Sequence, residues 1–144
     1  MPLTIKPNIF IVGAPKCGTT SIYEYLRKHP EVFMPSFKEP HFFGSDLVKN
    51  NNVYIDNATK YLDLFSNSNG KKMIGEASTH YLYSKMAAKE IFDFNPKSKI
   101  IILLRNPINL IYSLHSQYVF SGNEDILDFE KAINAEKYRL LGKD

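Results

Sequence analysis

The chain has 144 residues, a formal net charge of +3, 44% apolar and 23% charged residues, four histidines and a single cysteine. That length suits one domain with a modest core, and the mild charge favours anionic ligands without indicating nucleic acid. One cysteine forms no internal disulfide and no thiolate zinc site, and no apolar run approaches the ~20 residues of a membrane span, so the expectation is a cytoplasmic protein with no membrane partner.

The first strand is expected at Asn8 to Val12, an apolar run that breaks at Gly13. Pro15, Lys16, Cys17 and Gly18 form a tight loop, and Thr19, Thr20 and Ser21 open a helix that stops before Pro30 and presents Ile22, Tyr25 and Leu26 to a sheet. Strand, glycine-bounded loop and helix together make a phosphate cradle. Glycines let backbone approach a ligand, and the helix N-terminus supplies unpaired N–H groups and the positive end of its dipole. The nucleotide-triphosphatase loop requires Lys directly after its second Gly. Here Thr19 holds that position and Lys16 lies inside the loop, so the cradle is a relative of that loop.

Residues 29–35 read as a turn and a short buried strand, Lys38 to Phe43 as a loop, and Gly44 to Asp56 as a polar surface loop. A short helix is expected over Ala58 to Phe65 behind an Asp56–Asn57 cap, with Tyr61, Leu64 and Phe65 on its apolar face. A strand at Lys72 to Glu76 delivers Glu76 to Ser78 at its carboxyl end, and a helix spans Ser84 to Phe94. The continuous apolar run Lys99 to Leu104 predicts a strand covered on both faces. It ends in Arg105, where a magnesium-dependent enzyme would be expected to carry Asp. Asn106 caps the next helix with Pro107 at its first position, Gly122 and Asn123 end it, and Asp128 to Leu141 forms the last. Strands alternating with helices predict a parallel α/β sheet with ligands at the strand carboxyl ends.

Pro15-Lys-Cys-Gly-Thr-Thr-Ser21 resembles the 5′-phosphosulfate loop of the sulfotransferases that use 3′-phosphoadenosine-5′-phosphosulfate (PAPS). Arg105-Asn-Pro107 with Ser113 eight residues after the Arg resembles that family's 3′-phosphate motif, and Lys38-Glu-Pro-His-Phe-Phe43 and Gly75-Glu-Ala-Ser78 resemble its heparan-type and bacterial branch. The resemblance runs from about Asn8 to Ser113. It implies a three-layer parallel sheet flanked by helices, like that of P-loop nucleotide triphosphatases, in one domain over residues 1–144 that lacks its C-terminal part; a second copy could complete the sheet instead. It further implies transfer of a sulfuryl group from PAPS, leaving PAP, to a hydroxyl or amine of a carbohydrate or small-molecule acceptor, with no metal required. Lys16 would meet the leaving phosphate oxygen, and Pro15, Cys17, Gly18, Thr19, Thr20 and Ser21 would complete the 5′ site. Arg105 and Ser113 would clamp the 3′-phosphate. Glu39 is the first candidate for the base and His41 the second. Glu76 would orient Lys16 or the acceptor; the Lys that related enzymes carry just after it is Ala77 here. His80, Tyr81 and Tyr83 read as packing or acceptor-rim residues. The alternatives are a magnesium-dependent nucleoside or small-molecule kinase, and a non-catalytic PAP-binding fragment.

Overall fold

The structure is a computed structural model that describes residues 5–47, 54–68 and 70–142. Most of the expected Gly44–Asp56 loop therefore lies outside the described residues. The chain forms two compact units, Met1–Leu104 and Arg105–Asp144.

The first unit is built on a four-stranded parallel sheet, in the order β2-β3-β1-β4. Its strands are β1 (Ile9–Gly13), β2 (Val32–Phe33), β3 (Met73–Ala77) and β4 (Lys99–Ile102). Side chains of the central strand β1 alternate between two cores, as strand geometry requires. Phe10 and Val12 join Phe43, Tyr61, Phe65, Tyr81 and Ile91 on one face, where helices α2 (Ala58–Asp63) and α3 (Ala87–Phe94) pack. Ile11 joins Tyr23, Val32, Met34 and Ala77 on the other, beneath helix α1 (Thr19–Lys28). The result is the expected three-layer arrangement.

Three local expectations shift. In α1 the buried aromatic is Tyr23, whereas Tyr25 is 70% exposed. At roughly 100° per residue, Thr19, Ile22, Tyr23 and Leu26 share one face and Tyr25 falls about a quarter-turn off it. The helix expected from Ser84 opens at Ala87, because the Ser84 hydroxyl accepts the N–H groups of Met86 and Ala87. A single 3-10 turn, Thr79–Leu82, precedes it. Finally, among the described residues β4 ends the strand order, with Ile101 and Leu103 packed into the second core and Ile100, Ile102 and Leu104 exposed.

The second unit pairs α4 (Pro107–Phe120) with α5 (Phe129–Arg139). Asn106 and Asp128 cap these helices by accepting the N–H groups of Ile108 and Lys131. Phe129 lies edge-on to Tyr112 and His115, the His115 Nε2 meets the Ile126 carbonyl at 2.9 Å, and Arg139 grips Glu124 with both terminal nitrogens at 2.7 and 2.9 Å.

Candidate active site

The strand, glycine-bounded loop and helix expected around Gly13 and Gly18 are present. Gly13 accepts from the Leu103 N–H, and the Ala14 N–H returns to the Leu103 carbonyl, each at 2.8 Å, so the loop is tied to the end of β4. Gly18 sits just before α1 with φ +86, a left-handed conformation natural to glycine, and a Cβ placed there would meet nothing within 4 Å. The first-turn amides of Thr19, Thr20 and Ser21 have no partner within the helix, and that turn contains no acidic residue to compete for an anion. Thr20 and Ser21 are exposed, and Thr19 is buried. Lys16 and Cys17 are half-buried on the loop. Amides, two surface hydroxyls and an ammonium group suit a phosphate or phosphosulfate group.

Beside this loop lies the segment with Glu39 and His41. The Glu39 amide donates to Ala77 at the end of β3 at 2.9 Å. Glu39 Oε2 accepts the Thr79 N–H at 2.8 Å and the Thr79 hydroxyl at 3.2 Å, and pairs with His41 Nε2 at 3.1 Å; Oε1 accepts from Lys38. Burial pushes the Glu39 carboxyl up, but the bonds from His41, Lys38 and Thr79 outweigh it and hold the group at about 2. The Thr79 carbonyl, in turn, would lie 2.8 Å from a Cβ on Gly13. One residue therefore contacts the candidate base through its N–H and the glycine of the phosphate loop through its carbonyl.

His41 is buried among the rings of Tyr54, His80 and Tyr81. With Nε2 facing Glu39, its Nδ1 is buried and finds no hydrogen-bond partner among the described residues. His80 is thus a ring neighbour of His41, Tyr81 a core residue, and Tyr83 an exposed one.

Glu76 departs from its sequence reading. It is 0% exposed and accepts from Tyr61 and Tyr81 on Oε1 at 3.2 and 2.9 Å and from Ser78 on Oε2 at 2.8 Å. A carboxyl so enclosed is not at an acceptor surface, and these bonds run to the loop's supports rather than to Lys16. Burial raises it to about 7 against those three bonds. The sequence signal was present in Glu76, Ser78 and Tyr81, but nothing local indicated that they bond to one another.

In the second unit, Arg105 is exposed and precedes the Asn106 cap, and Ser113 lies half-buried in the second turn of α4.

A parallel sheet whose central strand enters a glycine-bounded anion loop and a helix defines a P-loop-like α/β domain. The chain belongs to the sulfotransferase domain family, whose model matches residues 6–139. A sulfotransferase structure from Alicyclobacillus acidocaldarius superposes with a TM-score of 0.87 at 34% identity, covering 96% of this chain and 60% of that one. Mouse carbohydrate sulfotransferase 15 is 29% identical over 91% of this chain and 30% of its own length. The membrane-associated sulfotransferase kil1 of Dictyostelium discoideum is 33% identical over 83% and 24%, and human heparan sulfate glucosamine 3-O-sulfotransferase 6 is 30% identical over 77% and 30%. The chain thus spans less than a third of the length of these curated relatives.

Proposed function

We propose that this chain carries the donor site and candidate base of a sulfotransferase that moves a sulfuryl group from PAPS to a hydroxyl or amine, with a carbohydrate as the acceptor class suggested by the relatives' names. The observation that carries this reading is the meeting at Thr79 of the Gly13 loop and the Glu39 carboxylate, which supports a donor site beside a base. Bound PAPS would supply the sulfuryl group and a leaving phosphate oxygen on which charge grows. Lys16 and the amides from Gly18 to Ser21 would neutralise that charge, with Pro15 and Cys17 shaping the loop. Arg105, a planar fork of donors, and Ser113 would take the 3′-phosphate, as the motif resemblance implies.

Glu39 would receive the acceptor's proton. Three of its donors fall on Oε2 and one on Oε1, so a lone pair on Oε1 is left for an incoming hydroxyl. At about 2 it is ionised at any working pH, and each donor that a substrate displaces raises its basicity. His41, facing Oε2, would orient it. The relatives are named as sulfotransferases rather than kinases, so they give the kinase alternative no support.

The test is thermal denaturation with PAP in the absence of magnesium. PAP raises the melting temperature of the native chain, and Lys16→Ala removes the shift. No shift at millimolar PAP, or a shift by ATP that needs magnesium, overturns the reading.

A further inference from the structure

Glu39 and His41 both occupy left-handed backbone conformations, with φ of 63° and 47°. Neither is glycine, so each costs about 1 kcal/mol or more, and such a segment persists only where its surroundings over-determine it. Alternate amides supply that constraint. The Glu39 N–H donates to the Ala77 carbonyl at 2.9 Å, the His41 N–H to Ser78 Oγ at 3.0 Å, and the Phe43 N–H to Tyr81 Oη at 3.2 Å.

The first acceptor is backbone and fixed. The other two are hydroxyls, which accept in a given direction only when their own protons are committed elsewhere. Both protons go to the same carboxyl: Ser78 donates to Glu76 Oε2 and Tyr81 to Glu76 Oε1. Glu76 thus lies behind two of the three anchors, one through each oxygen. A wholly buried carboxyl is an expensive core residue, and an apolar side chain there would pack at lower cost. What the apolar side chain could not do is turn two hydroxyls toward the strained segment.

We propose that Glu76 is a positioning residue that acts through Ser78 and Tyr81 to hold the Lys38–Phe43 segment in the conformation that presents Glu39, without touching donor or acceptor itself. This inference rests on Glu39 being the base. Among the described residues, the charged and titratable groups facing Glu39 include Lys38, His41 and, against the His41 ring, Tyr54 and His80; those facing Glu76 include Tyr61 and Tyr81, with the Glu39 charge acting on it from a distance.

The test follows the Glu39 carboxyl by carbon NMR through a pH titration, together with exchange of the His41 and Phe43 amides at pH 8, where Glu76 is ionised, in the full chain without ligand. In the native protein Glu39 titrates near 2 and both amides are protected; in Glu76→Gln, which keeps one acceptor oxygen and turns the other into an N–H donor, one of the two amides stays protected. In Glu76→Met the Glu39 midpoint rises by about one pH unit or more and both amides exchange about tenfold faster, while the Phe10 and Ile11 amides of β1 are unchanged. Ser78→Ala removes the His41 acceptor itself and gives the exchange rate of a released His41 amide, and Glu76→Gln, which keeps the size of the side chain, decides the matter if Glu76→Met does not fold. A lowered melting temperature with the Glu39 midpoint and both amides unmoved makes Glu76 a core residue only and overturns the proposal, as does a Gln variant that behaves like Met. Stabilisation by PAP is scored separately. Its absence from the native chain sinks the donor reading, whereas the titration and exchange measurements judge the relay itself.

Discussion

Two carboxyls close to Thr79 are driven in opposite directions by their surroundings. Glu76 is raised to about 7, so the folded chain holds that proton more tightly than the unfolded chain does at 4.5. Its contribution to stability is full below the unfolded value and is lost as pH rises through about 7. Glu39, held at about 2, contributes in the opposite sense: its share is present above 4.5 and is lost as pH falls toward 2. The urea midpoint is therefore expected to fall between about pH 5 and pH 8, with Glu76→Gln flattening this alkaline limb and Glu39→Gln flattening the acid one. A native chain with no decline above pH 5 would contradict the assignment of Glu76. Gly13 is a backbone case at the same scale. A Cβ there lies 2.8 Å from both the Thr79 carbonyl and Leu82 Cβ, at φ +150, so Gly13→Ala is expected to cost about 2 kcal/mol or more by denaturant titration.

At the scale of elements, short helices depend on their caps. The Asn57 side chain accepts the Lys60 N–H at 3.0 Å and starts α2, which carries the fully buried Tyr61 toward Glu76. Asn57→Ala should lower stability by about 1 kcal/mol in chemical denaturation, while Asn57→Asp, which retains the acceptor, should lose little. This cap, like Asn106 before Pro107, was readable beforehand because its partner lies within three residues. The late start of α3 was not. Asp46 accepts from the Ser84 hydroxyl and the Lys85 N–H, and that Asp comes from a segment 38 positions earlier. Tyr25 was misplaced for a related reason: an apolar residue three positions from Ile22 fits a helical stripe, and only the packed sheet distinguishes it from Tyr23.

At the scale of the whole molecule, Lys16 lies in the first unit, and Arg105 and Ser113 lie in the second. If Arg105 takes the 3′-phosphate, Arg105→Ala should weaken PAP about tenfold to a hundredfold and leave adenosine 5′-monophosphate, which lacks that group, unaffected by calorimetry. Lys16→Ala should weaken both ligands. Equal losses for the two nucleotides in Arg105→Ala would remove the 3′ assignment.

The glycine spacing of the loop, its strand and helix and the caps were determined by the sequence alone because each rests on residues within a turn or a strand of one another, and the parallel α/β class and the family because such local patterns recur in a fixed order along the chain. Tertiary structure alone decided that Glu76 is enclosed, that Glu39 shares Thr79 with the phosphate loop, and that Ile100 and Ile102 of β4 are exposed. Those outcomes depend on hydrogen bonds such as His41 to Ser78, 37 positions apart, whose partners are ordinary polar residues until folding removes the water that would otherwise satisfy them.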